Sequence, residues 1–307
     1  MTSKHVISLL AACATLVASP YAQAEESNSG PTIVVTGRVP LTEEKTLEVV
    51  RRVAQPVDGQ LARFKEPLCP RVTGFQPPYE ARVAERIRAV AEAVGAGAGE
   101  EGCVTNLNVV VVDDGREFVA ELHRLHPEAL AGLSKLEFAA LANGEGAARS
   151  WTKTALTNSV GATVGLPSST AGGGAVKYDV GGSMHFGDVN VMRVYESSNI
   201  EPSVQQAIVS AWVVLETRAT FGKSLTQLAE YAALRGLAMV RPAELDGSED
   251  TILALFEPGS DAVPAGLTEF DQAYLKSLYR VEGRGWARQQ VRQMADSIAR
   301  ENGQAAP

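Results

Sequence analysis

Apolar positions change their period several times along the chain, and each change marks an element. Thr42 to Ala54 carries a helical spacing. Tyr79 to Val94 sets Val83, Ile87, Val90 and Val94 on one helical face. Leu107 to Val112 is apolar except for Asn108, the pattern of a buried strand. Asp113-Asp114-Gly115 ends that strand. Asp114 and Glu117 then form an N-cap box for a helix that runs to Leu125 and is stopped by Pro127.

Weaker signals fill the gaps. Thr32 to Thr36 is β-branched and reads as a strand, and Gln60 to Phe64 as a short one. Glu66 to Pro78 is Pro-rich and reads as irregular, and Gly95 to Gly102 as a flexible loop. Leu133 to Leu141 reads as a short helix and Ala148 to Leu156 as a strand. Val160 to Gly187 is rich in Gly and Ser, as functional loops or disordered stretches are. Val189 to Ser197 and Ala207 to Leu215 read as a strand pair. Ser224 and Gln227 cap a helix through Met239, Asp250 to Phe256 is apolar after Thr251, and Thr268 and Asp271 start a helix through Tyr279. Ala287, Val291, Met294 and Ile298 mark a final amphipathic helix. Strands and helices alternate irregularly, so the expected fold is α+β, a mixed sheet with several packed helices, and not a doubly wound sheet.

The first residues carry an address. Lys4 precedes an apolar run from Val6 to Ala18, and Ala22-Gln23-Ala24 follows with small residues at the right spacing. This is the pattern of a secretory signal peptide, residues 1–24, cut after Ala24. Leu10-Ala-Ala-Cys13 also resembles a lipoprotein lipobox, so anchoring through Cys13 is the alternative to a soluble periplasmic form. Residues 25–31 form a polar, disordered leader. Residues 32–307 form one domain, with 32–145 and 146–307 as alternative subdomains. No later stretch reaches the roughly 18 apolar residues of a membrane span. After cleavage Cys69 and Cys103 remain, and an oxidising compartment favours one disulfide between them. The formal net charge is −8, and the Lys and Arg residues are scattered, which excludes a nucleic-acid footprint.

Several motifs fail the test of context. Gly97-Ala-Gly99-Glu-Glu-Gly102 matches a dinucleotide fingerprint, but a helix precedes it and a strand follows. Gly222-Lys223-Ser224 resembles the end of a P-loop, yet Thr217 stands where the first glycine belongs. Ser150-Trp-Thr-Lys153 matches the S-x-x-K of penicillin-recognising enzymes without its companion motifs. Asp113 and Asp114 are adjacent and so point to opposite faces. His123 and His126, with His185, are the candidate zinc ligands of a metal-dependent reading. No motif implies a cofactor.

Two resemblances remain. Ile33-Val-Val-Thr-Gly-Arg38 resembles the segment that begins the plug of TonB-dependent outer-membrane receptors, which implies an accessory role beside such a receptor. The strand from Ala207 to Glu216, the helix with Gln227-Leu-Ala-Glu-Tyr231, Asp250 to Phe256, and Leu267 to Tyr279 together resemble a group of uncharacterised secreted bacterial proteins with a zincin-like outline. In that outline the helix would carry H-E-x-x-H. Here Gln227 and Tyr231 stand at the comparable positions, and Glu230 is displaced. Gln and Tyr are poor zinc ligands, so the resemblance implies a copy without zinc catalysis.

The chain therefore reads as a periplasmic, non-catalytic binding or accessory protein whose partner is an envelope protein or outer-membrane component. The competing reading is a periplasmic hydrolase, metal-dependent or a degenerate metalloprotease-like pseudoenzyme. The ligand-binding candidates are Glu216, Arg218, Gln227, Glu230, Tyr231 and Arg235, where the 224–239 helix meets the strand pair and the Gly-rich loop.

Overall fold

A computed structural model describes residues 42–158, 174–176, 189–191, 202–241, 250–257 and 263–304. The signal segment with Cys13, residues 32–38, most of 160–187 with His185, and 192–197 lie outside these residues. The fold is α+β, with a mixed five-stranded sheet at its centre. Its strands are β1 (Arg63–Phe64), β2 (Pro70–Thr73), β3 (Leu107–Val112), β4 (Ala148–Asn158) and β7 (Val204–Glu216). A separate pair is formed by β5 (Gly174–Val176) and β6 (Val189–Val191).

β7 organises the sheet. Along one edge β4 runs antiparallel to it, from Asn158 opposite Val204 to Ala148 opposite Leu215. The other edge is shared by two parallel strands: β1 lies beside Ala207 and Ile208, and β3 lies beside Ala211 to Glu216. β2 continues the sheet outward, parallel to β3. A strand paired on both edges and covered on both faces needs a near-continuous apolar run, which Ala207 to Leu215 supplies.

Helices cover both faces. The helices are α1 (Glu43–Val53), α2 (Tyr79–Val94), α3 (Gly115–Leu125), α4 (Lys135–Asn143), the short α5 (Thr217–Thr220), α6 (Leu225–Leu237), α7 (Glu269–Arg280) and α8 (Ala287–Gln304). On one face the stripe of α2 and the nearly all-buried α6 meet Leu107, Val109, Val111, Val213 and Leu215. α1, α7 and α8 extend this core, with Met294 and Ile298 of α8 fully buried. On the other face Val119 of α3 and Leu130 pack on Val214 and Trp151. Trp151 and Trp212 are cross-strand partners with stacked rings 5.5 Å apart, and the Trp151 indole donates to the Ala129 carbonyl. Gly236 permits the approach of α6 to the sheet, because a β-carbon there would lie 2.7 Å from Leu107 Cδ1.

Caps fix the helix starts. Ser224 with Gln227, Thr268 with Asp271 and Ser134 with Glu137 form reciprocal capping boxes. Asp114 accepts from the amides of Arg116 and Glu117, and those amide bonds, Glu117's first, hold its carboxyl below the usual range. Cys69 and Cys103 form the expected disulfide, with Cα atoms 5.9 Å apart. Among the described residues no helix is long and apolar enough to cross a membrane.

Two sequence expectations need correction. The segment from Glu66 to Pro78 contains β2: Pro70 takes the first strand position of an edge strand, where its missing N–H costs nothing, and Val72 faces the core. The stretch Ala207 to Leu215 does not pair with Val189–Val191, the described part of its expected partner. Val189–Val191 pairs with Gly174–Val176, inside the stretch expected to be structureless, and β4 is the antiparallel partner of β7. Apolar pattern marks strands but does not choose partners, and β4 offers β7 a far longer ladder.

Candidate functional site

The polar residues singled out on and before α6 are built into the frame. Glu216 ends β7, where its Oε1 accepts from Arg149 Nη1 at 2.7 Å and from the Gly115 amide at 3.3 Å. Buried Arg149 also donates to the carbonyls of Leu141 and Gly144. This joint ties β4 and β7 to the start of α3 and the end of α4, and a β-carbon at Gly115 would lie 2.4 Å from Arg149 Nη1. Arg218 is exposed on α5. Gln227 completes its cap and donates to the Pro264 carbonyl at 2.8 Å. Buried Glu230 accepts from Arg86 Nε at 2.7 Å, from Arg86 Nη2 and from the Leu267 amide. Gly266 passes so close over it that a β-carbon would lie 2.2 Å from Glu230 Oε2.

Tyr231 is buried, its ring edge-on to Phe256 at 4.8 Å, and burial pushes its phenol up. Its hydroxyl accepts from Arg235, whose Nε donates to Ser150 Oγ at 2.9 Å. Gln227 and Tyr231, at the positions compared with zinc ligands, thus serve a cap and a core. Ser150 and Lys153 lie on opposite faces of β4 by strand alternation. Lys223 sits over the Phe256 ring at 5.2 Å, and Ser224 caps α6. Gly97 and Gly102 take positive φ in the loop between α2 and β3. His123 packs on Phe138 with ring centroids 4.5 Å apart, and His126 Nδ1 lies 3.2 Å from Glu128 Oε1. Among the described residues no group of three or more His, Cys, Asp or Glu is placed to hold a metal.

Open concave surface lies elsewhere, around the turn from Val281 to Trp286 between α7 and α8. The turn is held from several sides. Buried Gln290 accepts from the Leu61 amide at 2.8 Å and donates to the Glu282 carbonyl at 2.9 Å. Gln60 donates to the carbonyls of Val204 and Arg284. The Ala287 amide donates to Gly59 at 2.7 Å. Gly59, at φ +77°, lies under the Trp286 ring, and the ring itself is half-exposed.

Two cavities flank this turn. One, of about 630 Å³, is lined by Trp286, Arg288, Gln289 and Arg292. The other, of about 350 Å³, is lined by Arg63, Lys65, Arg280 and Arg284, against one acid among the described residues, Glu282. Arg63 Nη1 donates to the Leu278 carbonyl in the last turn of α7, at 2.6 Å, and to the carbonyl of Val281 just past it. A cation is favoured at that helix end. Burial lowers the Arg63 pKa, opposed by Tyr279 and Glu282. Lys65 is pushed down to about 8, by burial of its ammonium first and by Arg63 second. At the rim Arg280 pairs with Glu301 at 2.7 Å and Arg284 with Glu282 at 3.5 Å.

None of the six α6-region candidates lines either cavity. The cationic cleft escaped the sequence reading because it joins β1, the start of β7 and the α7–α8 turn. A signal for it was present in Arg280-Val-Glu-Gly-Arg284-Gly-Trp-Ala-Arg288, a locally basic stretch with an aromatic in an acidic chain. Comparison with protein-family models, curated proteins and solved structures finds no match to this chain.

Proposed function

We propose that this is a non-catalytic binding protein of the bacterial cell envelope, exported by residues 1–24, which engages its target at the α7–α8 turn. The carrying observation is the cationic cleft. In a chain of net charge −8, Arg63, Lys65, Arg280 and Arg284 surround one cavity, with Glu282 the only acid in its wall among the described residues. Gathering like charges costs free energy, and a site that holds them against that cost is matched to an anionic target. The buried contacts of Gln60 and Gln290 hold the turn rigid, which is how binding sites avoid a large ordering cost. The Cys69–Cys103 disulfide supports an oxidising compartment.

The experiment has two arms. The full chain is produced in a Gram-negative host, and the mature mass and compartment are determined. Recovery from the periplasm, cut after Ala24, is expected; recovery as the full-length chain from the cytoplasm overturns the export reading. The purified protein is then applied to washed envelope fractions at rising salt. Salt-sensitive retention that falls in the Arg280→Gln/Arg284→Gln variant is expected. Retention indifferent to salt and to both substitutions overturns the placement of the site.

A further inference from the structure

We infer that the cleft between β1 and the α7–α8 turn is a binding site for a phosphate monoester group, carried by a small solute or by a lipid headgroup. The inference rests on the binding-protein reading above and assigns the chemistry of its ligand.

Charge and donor geometry narrow the class. Arg63 spends Nη1 on the carbonyls of Leu278 and Val281, while its Nη2 lies on the side of Gly283, which lines the cleft with it. A β-carbon at position 283 would stand 3.2 Å from that Nη2 and collide with Gln205 Oε1. Glycine therefore keeps open the inner wall on which the half-buried guanidinium can meet a ligand. Lys65 has no acidic partner within ion-pair distance among the described residues, so its ammonium adds an unmatched charge beside that of Arg63. Arg280 and Arg284 close the rim, each already facing one carboxylate, so their fields are partly offset. A planar monovalent carboxylate would meet one fork and leave the Lys65 ammonium unmatched. A phosphate monoester carries a charge of about −1.5 to −2 and three strong acceptor oxygens, enough to bridge both Arg63 and Lys65.

The depressed Lys65 pKa gives the site a signature. Among the described residues the charged groups facing Lys65 are Arg63 from β1, Arg280 at the end of α7, Glu282 and Arg284 from the turn, and Glu301 from α8 behind Arg280. Burial, and Arg63 beside it, push Lys65 down to about 8. A bound dianion favours its ammonium, so binding takes up a proton once the pH passes about 8. Affinity then falls by up to about tenfold between pH 7 and pH 9, the limit for one linked proton.

The test is titration calorimetry of the purified, disulfide-intact protein. The probes are inorganic phosphate, glycerol 3-phosphate, and vesicles of phosphatidylcholine with or without phosphatidic acid. Saturable binding of either soluble probe, with vesicles inert, supports a soluble ligand. Binding to phosphatidic acid vesicles that is displaced by glycerol 3-phosphate supports a headgroup. In either case Gly283→Val should abolish binding. Lys65→Met, at an exposed rim position, should weaken it several-fold and flatten the pH dependence. Failure of every probe at about 10 mM overturns the inference, as does binding indifferent to both substitutions. If phosphate fails while salt-sensitive envelope retention still depends on Arg280 and Arg284, only the ligand class is wrong; if both fail, the binding reading falls with it.

Discussion

Removing either partner of the Arg86–Glu230 ion pair should destabilise the fold by unequal amounts, because the two side chains are unequally buried. Arg86 is 51% exposed at its side chain, whereas Glu230 is 4% exposed on the inward face of α6. Arg86→Met keeps the aliphatic stem but leaves the carboxylate buried with one remaining donor, the Leu267 amide. Stranding a buried charge costs about 3–5 kcal/mol. Glu230→Gln keeps the volume and an acceptor for Leu267, and the released guanidinium rehydrates at the surface. Its cost is that of charge-assisted bonds weakened and one amide poorly matched, about 1–3 kcal/mol. Urea unfolding at neutral pH with the disulfide intact measures both. A gap of about 2 kcal/mol corresponds to about 0.7 M in midpoint for a slope of about 3 kcal/mol/M. The double variant should cost less than the two singles summed, since the groups are in contact. Equal costs, or a costlier Glu230→Gln, would refute the claim that the stranded carboxylate, and not the lost hydrogen bonds, sets the size of the effect.

Other outcomes follow from particular contacts. Removing the Cys69–Cys103 bridge, whose residues are 34 apart, should cost about 3.5–4 kcal/mol in the chain-entropy account, seen as a lower melting temperature in reductant or in a Cys69→Ala/Cys103→Ala variant. Gly74→Ala should cost at least about 2 kcal/mol, since Gly74 has φ +96° and a β-carbon there would lie 2.1 Å from the Val111 carbonyl oxygen; a neutral result in urea would show that the approach of this turn to β3 is misjudged. Lys65→Met should raise stability below about pH 8, with the advantage fading as pH rises towards 10.5. The folded state disfavours the ammonium, so its penalty is full where both states are charged and vanishes where both are neutral. Melting temperatures across pH 6 to 10.5 check this, and a constant offset between variant and wild type would refute it.

Elements fixed by local chemistry were legible in the sequence. The stripe of α2, the Asp114 cap and the Ser224 and Thr268 boxes act within a few residues, so the periodicity found them. What distance decides was hidden. β2 has only four residues and begins with Pro70, and its strand character comes from β3 beside it. The partner of β7 was misread because the ladder joins segments separated by the whole Gly-rich stretch. At the candidate site the polar residues of α6 were noticed, but Arg86, Gly266 and Ser150, which explain Glu230 and Arg235, come from remote segments. The cationic cleft was invisible for the same reason. Nothing local to Arg63 or Lys65 announces that the α7–α8 turn will close over them.

The position of β7 sets a timetable for folding. It touches β1, β3 and β4, yet it is made after all three, and the first of them waits for it across more than a hundred residues of chain. Before Val204 to Glu216 is present, β2 and β3 are the only strands of the five-stranded sheet that have each other, and the two aromatic rings of Trp151 and Trp212 cannot meet. A chain emerging from its N-terminus therefore has helices early and a sheet late, a high-contact-order route that keeps its nascent form open. The strand that joins most of the sheet is thus also the one whose synthesis the rest of the sheet must await.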